Sequence, residues 1–580
     1  MAIAALSGSW LRTPAQSSNT RVDVLTNRYE IARTGANLKE TVLHTRNVSA
    51  AQFGKIFERD VDGDIYAQPL VKTNVQIPGG GLRDVVYVAT VNNSLYAFDA
   101  DSSAQSQPYW HVTNQILGQP VPKRDVTDLP PDQEYRNFES NIGIGATPVI
   151  DDRSGTIYVV AHSKGDGAYH FRLHAFDLAT GREKSEMHSP VEIQASYVGN
   201  GAGSEEGKIV FRPRKMLNRP GLLLINDVLY LAFTSHLDGE PKFEGHGWIM
   251  AYDAKSLKQL AAVCTTPDGI QGGIWQSGVG LAADPREGAP YPLIYAVAAN
   301  GSVGGRNFAQ SILQLYPGSM TSVKQAFTPA EQAYQNDNDL DLSTGPVLLP
   351  DMPYVLACSK DGKCYLVDRS NMRLVQEFPA GTNSYGGERP SNIHGAPVAW
   401  KDSANNLRLY VWGEEDFLRA FQFDGRRFQG AGKSTMRAPE KSMPGGILAL
   451  SANGNSAGSA ILWASVPLKG DANMGTVPGI VRAFDAANVE LELWNSEQES
   501  GRDRLGMFAK FCPPLVANGK LYMATFADPT SAGKPVAPNK LVVYGLLNGS
   551  IRPAATDQER SIPDLVHLRP VRRKDAIHGT

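Results

Sequence analysis

Two carboxylates, Asp339 and Asp341, stand at alternate positions in the run DNDLDLSTGP, residues 337–346. Carboxylates that share a site split their proton affinities, which suits one of them to proton transfer, and they are also hard-cation ligands. A calcium loop of the EF-hand kind is excluded, because its sixth position is Leu342 rather than Gly and its twelfth is Leu348 rather than Glu. His394, in SNIHGAP, adds an imidazole whose ordinary pKa near 6.5 lets it take or give a proton at neutral pH. Asp339, Asp341 and His394 are therefore the catalytic candidates. Gln68, Glu139, Asn141, Arg212, Arg214, Trp275, Gln276, Asn392 and Lys510 are the ligand-binding candidates. Amides, cations and a flat aromatic together suit a polar or anionic organic molecule with an aromatic or sugar-like face. The same charges could instead close the structure as ion pairs, Asp339 with Arg214 and Glu139 with Arg212. His236 and His246 lie ten residues apart, which fits no compact metal-ligand spacing, and they read as solvated loop.

These residues are far apart in the chain, so a repeated architecture must bring them together. One pattern recurs: a β-rich run, a polar turn, then a second run that ends in an Asp-led turn. It appears as VVYVATVNNSLYAFDAD (85–101), YVLACSKDGKCYLVDRSN (354–371) and RLYVWGEEDFLRAFQFDG (408–425), with eight copies in all. Each copy has the period-2 apolar pattern of a hairpin. A shorter run precedes each one, such as IYAQPLV, GIGATPVI, STGPVLL or IHGAPVA. Small residues there allow neighbouring backbones to approach, and Pro fits where a strand begins. A further outer run, such as PYWHV or LELWNS, makes four strands per unit.

Eight such sheets predict an all-β fold, an eight-bladed β-propeller of four-stranded antiparallel blades. The propeller is expected over residues 23–547, after an N-terminal extension (1–22) and before a C-terminal tail (548–580). The Asp-Leu-Asp-Leu alternation is expected to be the inner strand of the fifth blade, with Asp339 and Asp341 on one face. The leading residues of the inner strands are expected to converge at the mouth of a central channel. Units of this length are too long for the coils of a β-helix.

The bulk composition fits this reading. The chain has 580 residues, 42% hydrophobic and 20% charged, with a formal net charge of −3. That balance gives no electrostatic case for nucleic acid or an anionic membrane, and no apolar stretch is long enough to span a bilayer. The first residues include a short apolar run with no Lys or Arg before it, a poor or trimmed secretory signal. Four cysteines are not a disulfide framework. A two-residue turn at Asp361-Gly362 would place Ser359 opposite Cys364, which predicts no bridge between Cys358 and Cys364.

The hairpin forms LYAFDADSSAQSQPYW and LHAFDLATGREK resemble the repeat of the quinoprotein alcohol dehydrogenase-like propellers, and most closely the uncharacterised bacterial PQQ-like repeat proteins. GGIWQSG, NDLDLSTGPVLL and LVDRSNM look like signatures of the same group. The resemblance implies a secreted or periplasmic protein with pyrroloquinoline quinone (PQQ) and Ca²⁺ in a central funnel. It puts Trp275 at or beside the floor on which the quinone stacks, and Asn300 where an amide oxygen ligates calcium. Gln310 stands nearest the position of the family's catalytic aspartate, and glutamine takes no proton at neutral pH. The adjacent-cysteine ring of the alcohol-oxidising members and a C-x-x-C-H haem site are both missing. Three functions follow as expectations. The first is a small-molecule-binding funnel, with or without a non-redox reaction. The second is a PQQ- and Ca²⁺-dependent oxidoreductase of alcohols or sugars, and the third is a protein-binding scaffold.

Overall fold

The structure is a computed structural model that describes residues 21–547 apart from 131, 132, 134, 240–243, 285, 287–291, 383–390, 474 and 529–537. The tail expected over 548–580 and the first twenty residues of the expected extension lie outside the described residues. The chain is all-β and runs as successive four-stranded antiparallel meanders. The first comprises Leu70–Ile77, Gly81–Thr90, Ser94–Asp99 and Trp110–Val112. The next three have central hairpins Thr156–Gly165/Ala168–Asp177, Val228–Ser235/Trp248–Asp253 and Ile294–Ala298/Ser311–Leu315. In the fifth, sixth and seventh the hairpins are Tyr354–Cys358/Lys363–Asp368, Leu407–Val411/Phe417–Phe423 and Ile461–Pro467/Pro478–Asp485. The eighth uses Leu515–Ala517, Lys520–Phe526 and Asn539–Leu546, and takes its outer strand from the other end of the chain: Phe53–Val61 pairs antiparallel with Asn539–Leu546.

The central strands are buried on both faces, as in VVYVAT (85–90), because each sheet packs between two others. Val85 and Tyr87 of the first sheet share a core with Ile157 and Phe176 of the second. Comparable clusters join each later pair of consecutive sheets. Val86 and Phe98 of the first sheet also pack with Tyr522 and Val543 of the eighth.

The Asp-led turns have a local cause. The carboxylates of Asp99, Asp177, Asp253, Asp368, Asp424 and Asp485 each accept a backbone N–H from two residues on. That Asx turn caps the exit of the hairpin's second strand and reverses the chain.

Residues 24–37 precede the meanders, reach the first strand or its leading residue in every one, and end as a short parallel strand, Ala36–Asn37, beside Ile447–Ser451. Val24 exchanges hydrogen bonds with Val71, and the carbonyls of Leu25, Ile31, Ala32, Thr34 and Gly35 accept from Ile150, Ala283, Leu348, Ala399 and Leu450. Arg33 reaches the Leu222 carbonyl of the third sheet, and Asn37 reaches Val516 of the eighth. No periodic pattern in residues 24–37 marks this role.

Two expectations are corrected. Cys358 and Cys364 form a disulfide, with Cα atoms 4.0 Å apart. The hairpin is not the two-residue turn expected: Ser359 donates to the Lys363 carbonyl, leaving a three-residue loop, 360–362, that ends on left-handed Gly362. That register puts the two cysteines directly opposite each other. The Asp-Leu-Asp-Leu run is not a strand either. A short helix, Gln332–Asp337, precedes it and Asp339 has φ 53°, so the alternation never becomes a pleat; the first strand of that sheet is Val347–Leu348.

Candidate functional site

A cavity of about 920 Å³ opens at the end of the sheets opposite the Asp-led turns. Its wall has two sources. The segments that lead into the first strands supply Tyr66, Arg219, Trp275, Asp341, His394 and Lys510, and the loops between the second and third strands supply Asn300, Lys360, Glu414 and Asp471. Both sources lie at one end because an antiparallel meander returns to the same side after every second strand.

One wall is an acid–base network. The Lys360 ammonium lies 2.8 Å from Asp339 and 2.7 Å from Asp341. Burial alone would lower the Lys360 pKa, but the Asp341 and Asp339 carboxylates override it and hold the group well above the ordinary lysine range. Asp341 is buried, and burial pushes its carboxyl up while the Lys360 charge pulls it back. The network continues through amides: Leu342 N–H donates to Gln310 at 3.3 Å, Gln310 to Asn300 at 2.8 Å, and Asn300 to Asp339 at 2.7 Å. Nearby, His394 Nε2 sits 2.9 Å from a Glu414 carboxylate oxygen, while its buried Nδ1 has no hydrogen-bond partner.

The facing wall is aromatic and cationic. Trp275, Phe511 and His394 meet edge to face, with ring centroids 5.0 to 6.0 Å apart. The Arg219 guanidinium lies over Tyr66 and Phe511, 5.5 and 5.8 Å from their centroids. Arg219 is 3% exposed, and its Nη1 donates to the carbonyls of Gly145 and Tyr66. Its Nη2 is buried with no partner, and no carboxylate pairs with it among the described residues. Burial pushes its pKa down to about 10. Lys510, also 3% exposed, donates to the carbonyls of Arg136 and Ala472 at 3.0 and 2.9 Å. Burial brings its pKa down to about 8.

Seven of the sequence candidates meet in this wall: Trp275, Asn300, Asp339, Asp341, Asn392, His394 and Lys510. Six others lie outside it. Gln68 accepts from the backbone of Arg28, Gln276 is bound to Val279 and Val297, and Asn141 donates to Asn92. Arg212 pairs with Glu205 and Arg214 with Asp128, so neither makes the cross-sheet pair expected with Glu139 or Asp339. Glu139 keeps one buried oxygen without a partner among the described residues. His236 and His246 are buried rather than solvated: His236 Nδ1 lies 2.6 Å from Tyr135 Oη, and His246 bonds Thr266 and the Ala202 carbonyl. Sequence reasoning did not nominate Lys360, Glu414 or Phe511 for the site, whereas it did place Arg219 among the leader residues that could face the axis. Lys360 and Glu414 sit in hairpin turns, which read as connectors. Arg219 is in a leader, and its own signal was the charge beside Pro220.

The residues present do not fit a bound calcium ion. Asn300 spends its oxygen on Gln310 and turns its amide nitrogen to Asp339, while the Lys360 ammonium already stands between the two carboxylates. Among the described residues no group of three His, Cys, Asp or Glu side chains is placed to hold a metal.

No protein-family model matches the chain, and no curated protein matches it. Solved structures do. Quinohemoprotein alcohol dehydrogenase from Comamonas testosteroni aligns with a TM-score of 0.54 at 15% identity, covering 94% of this chain and 83% of that one. Quinohemoprotein alcohol dehydrogenase ADHIIG from Pseudomonas putida HK5 aligns with a TM-score of 0.54 at 13% identity, covering 93% and 82%. A europium-containing methanol dehydrogenase aligns with a TM-score of 0.50 at 13% identity, covering 90% and 98%. At such identities the likeness is one of fold, and the fold is the β-propeller of the quinoproteins.

Proposed function

We propose that residues 23–547 form one eight-bladed propeller whose central funnel binds a small, flat, negatively charged organic molecule. The blade count rests on the meander pairings and on the core that the eighth sheet shares with the first. Residues 24–37, bonded to first strands or their leading residues in all eight sheets, support the arrangement of the sheets around one axis. The observation that carries the ligand class is Arg219. A buried guanidinium that lines the cavity and has no carboxylate partner among the described residues is costly unless an anion completes it. Trp275 and Phe511 offer aromatic surface beside it. Asn392 and Lys510 add polar contacts, and the opposite wall suits proton transfer. His394, oriented by Glu414, would act as base, and Asp341 would act as acid paired with Asp339.

A second reading has specific support in the three quinoprotein neighbours. PQQ is a planar tricarboxylate, so it fits the Arg219 and Trp275 wall even though the calcium set beside it does not. Titration calorimetry with aromatic carboxylates and with PQQ, each with and without Ca²⁺, tests both. The first reading expects micromolar binding that is indifferent to Ca²⁺ and weakened at least tenfold by Arg219→Leu. Binding unchanged by Arg219→Leu, or none to any carboxylate, overturns it. Alcohol-dependent dye reduction that requires both PQQ and Ca²⁺ would establish the second in its place.

A further inference from the structure

Two lysines line the same cavity in opposite circumstances. Lys360 is clamped between two carboxylates, whereas Lys510 has no carboxylate within 4.0 Å among the described residues and donates only to two peptide carbonyls. An ammonium carries three N–H groups, and two carbonyls leave the third without an acceptor. A neutral amine carries two, so the same two carbonyls satisfy it fully and leave a lone pair. The charges that act on Lys510 come from three packed segments and one loop. Glu139, Asp471 and Asp64 favour the ammonium, Lys123 opposes it, and burial outweighs them all.

We propose that Lys510 is a covalent binding site, whose ε-amine condenses with the aldehyde or ketone carbonyl of a small carboxylate-bearing molecule in the funnel. The amine adds to the carbonyl carbon, and one of its protons passes to the carbonyl oxygen. The carbinolamine then loses water to give the imine, with no net oxidation or reduction. In its protonated form the imine keeps one N–H for the Arg136 or Ala472 carbonyl. A lysine serves this chemistry when burial lets it shed its proton near neutral pH, and Lys510, brought down to about 8, meets that requirement.

The choice of a carboxylate-bearing carbonyl compound rests on the reading of Arg219 above, and the experiment separates the two. The full-length protein is incubated with 4-carboxybenzaldehyde or with uncharged benzaldehyde, the imine is trapped with cyanoborohydride, and modification is read at each lysine by peptide mass spectrometry. Lys510 is expected to label at least tenfold faster than Lys360 and than exposed lysines such as Lys39, with a half-maximal rate near pH 8. Lys510→Arg should lose that adduct alone. Labelling of Lys510 no faster than Lys39 overturns the proposal, and the wild-type protein alone decides this. If Arg219→Leu slows the carboxylated aldehyde and not benzaldehyde, the anion reading stands. Equal effects on both leave Lys510 as the reactive amine and remove Arg219 as the anchor.

Discussion

Lys360→Met removes the one cation between Asp339 and Asp341 that comes from their own sheet. The Asp341 side chain is 3% exposed and that of Lys360 15%, whereas Asp339 is 70% exposed. The exposed pair is worth about 0–1 kcal/mol, but removing one partner of a buried pair costs about 3–5 kcal/mol. The loss expected is therefore about 3 kcal/mol, read as the shift in urea or guanidinium unfolding at neutral pH. The pH dependence follows from Asp341. Its folded pKa already lies above the unfolded value, so its contribution is favourable at low pH and is lost as pH rises through the folded pKa. Without the ammonium that pulls it back, the folded pKa rises further, and Asp341 stays neutral to a higher pH. The gap between wild type and Lys360→Met should accordingly narrow as the pH falls from about 8 to about 5. Lys360→Met combined with Asp341→Asn should return to within about 1 kcal/mol of wild type, because no buried charge is then left alone. A gap that is constant across this pH range, or a double variant no better than the single one, would show that the Lys360–Asp341 pair does not hold this wall.

Two further predictions concern the frame. Cys358→Ser with Cys364→Ser should lower stability by about 2 kcal/mol, from the loop-closure entropy of a ring this short, as measured by chemical unfolding of the oxidised protein against the variant. Gly35→Ala should destabilise by at least about 1 kcal/mol in the same assay, since φ is +78° and the new methyl would meet the Arg28 guanidinium.

The sequence exposed what is local. FDAD, FDLATG and YDAKS announced their turns because an Asx turn is built within three residues, and the apolar hairpins announced their sheets. What depends on register or on distant partners stayed hidden. Asp339 and Asp341 were found, but on the wrong element, because alternation alone cannot separate a pleat from a left-handed turn after a helix. Lys360 reaches both only because the hairpin loop has three residues rather than two, the same difference that brings Cys358 opposite Cys364. Residues 24–37 bond to positions as remote as Leu448 and Val516, so nothing in their own pattern marks them as the element that joins all the sheets. Gln68 and Gln276 read as channel residues because they stand in leaders, yet a backbone N–H takes the Gln68 oxygen and backbone groups take both ends of the Gln276 amide.

The three buried arginines of the axis separate framework from site. Arg28 and Arg33 are as deeply buried as Arg219, and among the described residues neither forms an ion pair with a carboxylate. Arg28 nevertheless spends Nε on Arg33 and its two terminal nitrogens on the carbonyls of Leu448 and Pro397. Arg33 likewise binds the carbonyls of Leu281, Asn27 and Leu222. Each of those guanidiniums replaces water with peptide oxygens from several sheets, so its burial ties the framework together. Arg219, which lines the cavity, uses one nitrogen on two carbonyls and leaves Nη2 buried with no partner among the described residues. A fold with a shared core between consecutive sheets gains little from such a group, and a neutral amide could satisfy the same two carbonyls. The unmet hydrogen bond is the part of Arg219 that the framework does not use.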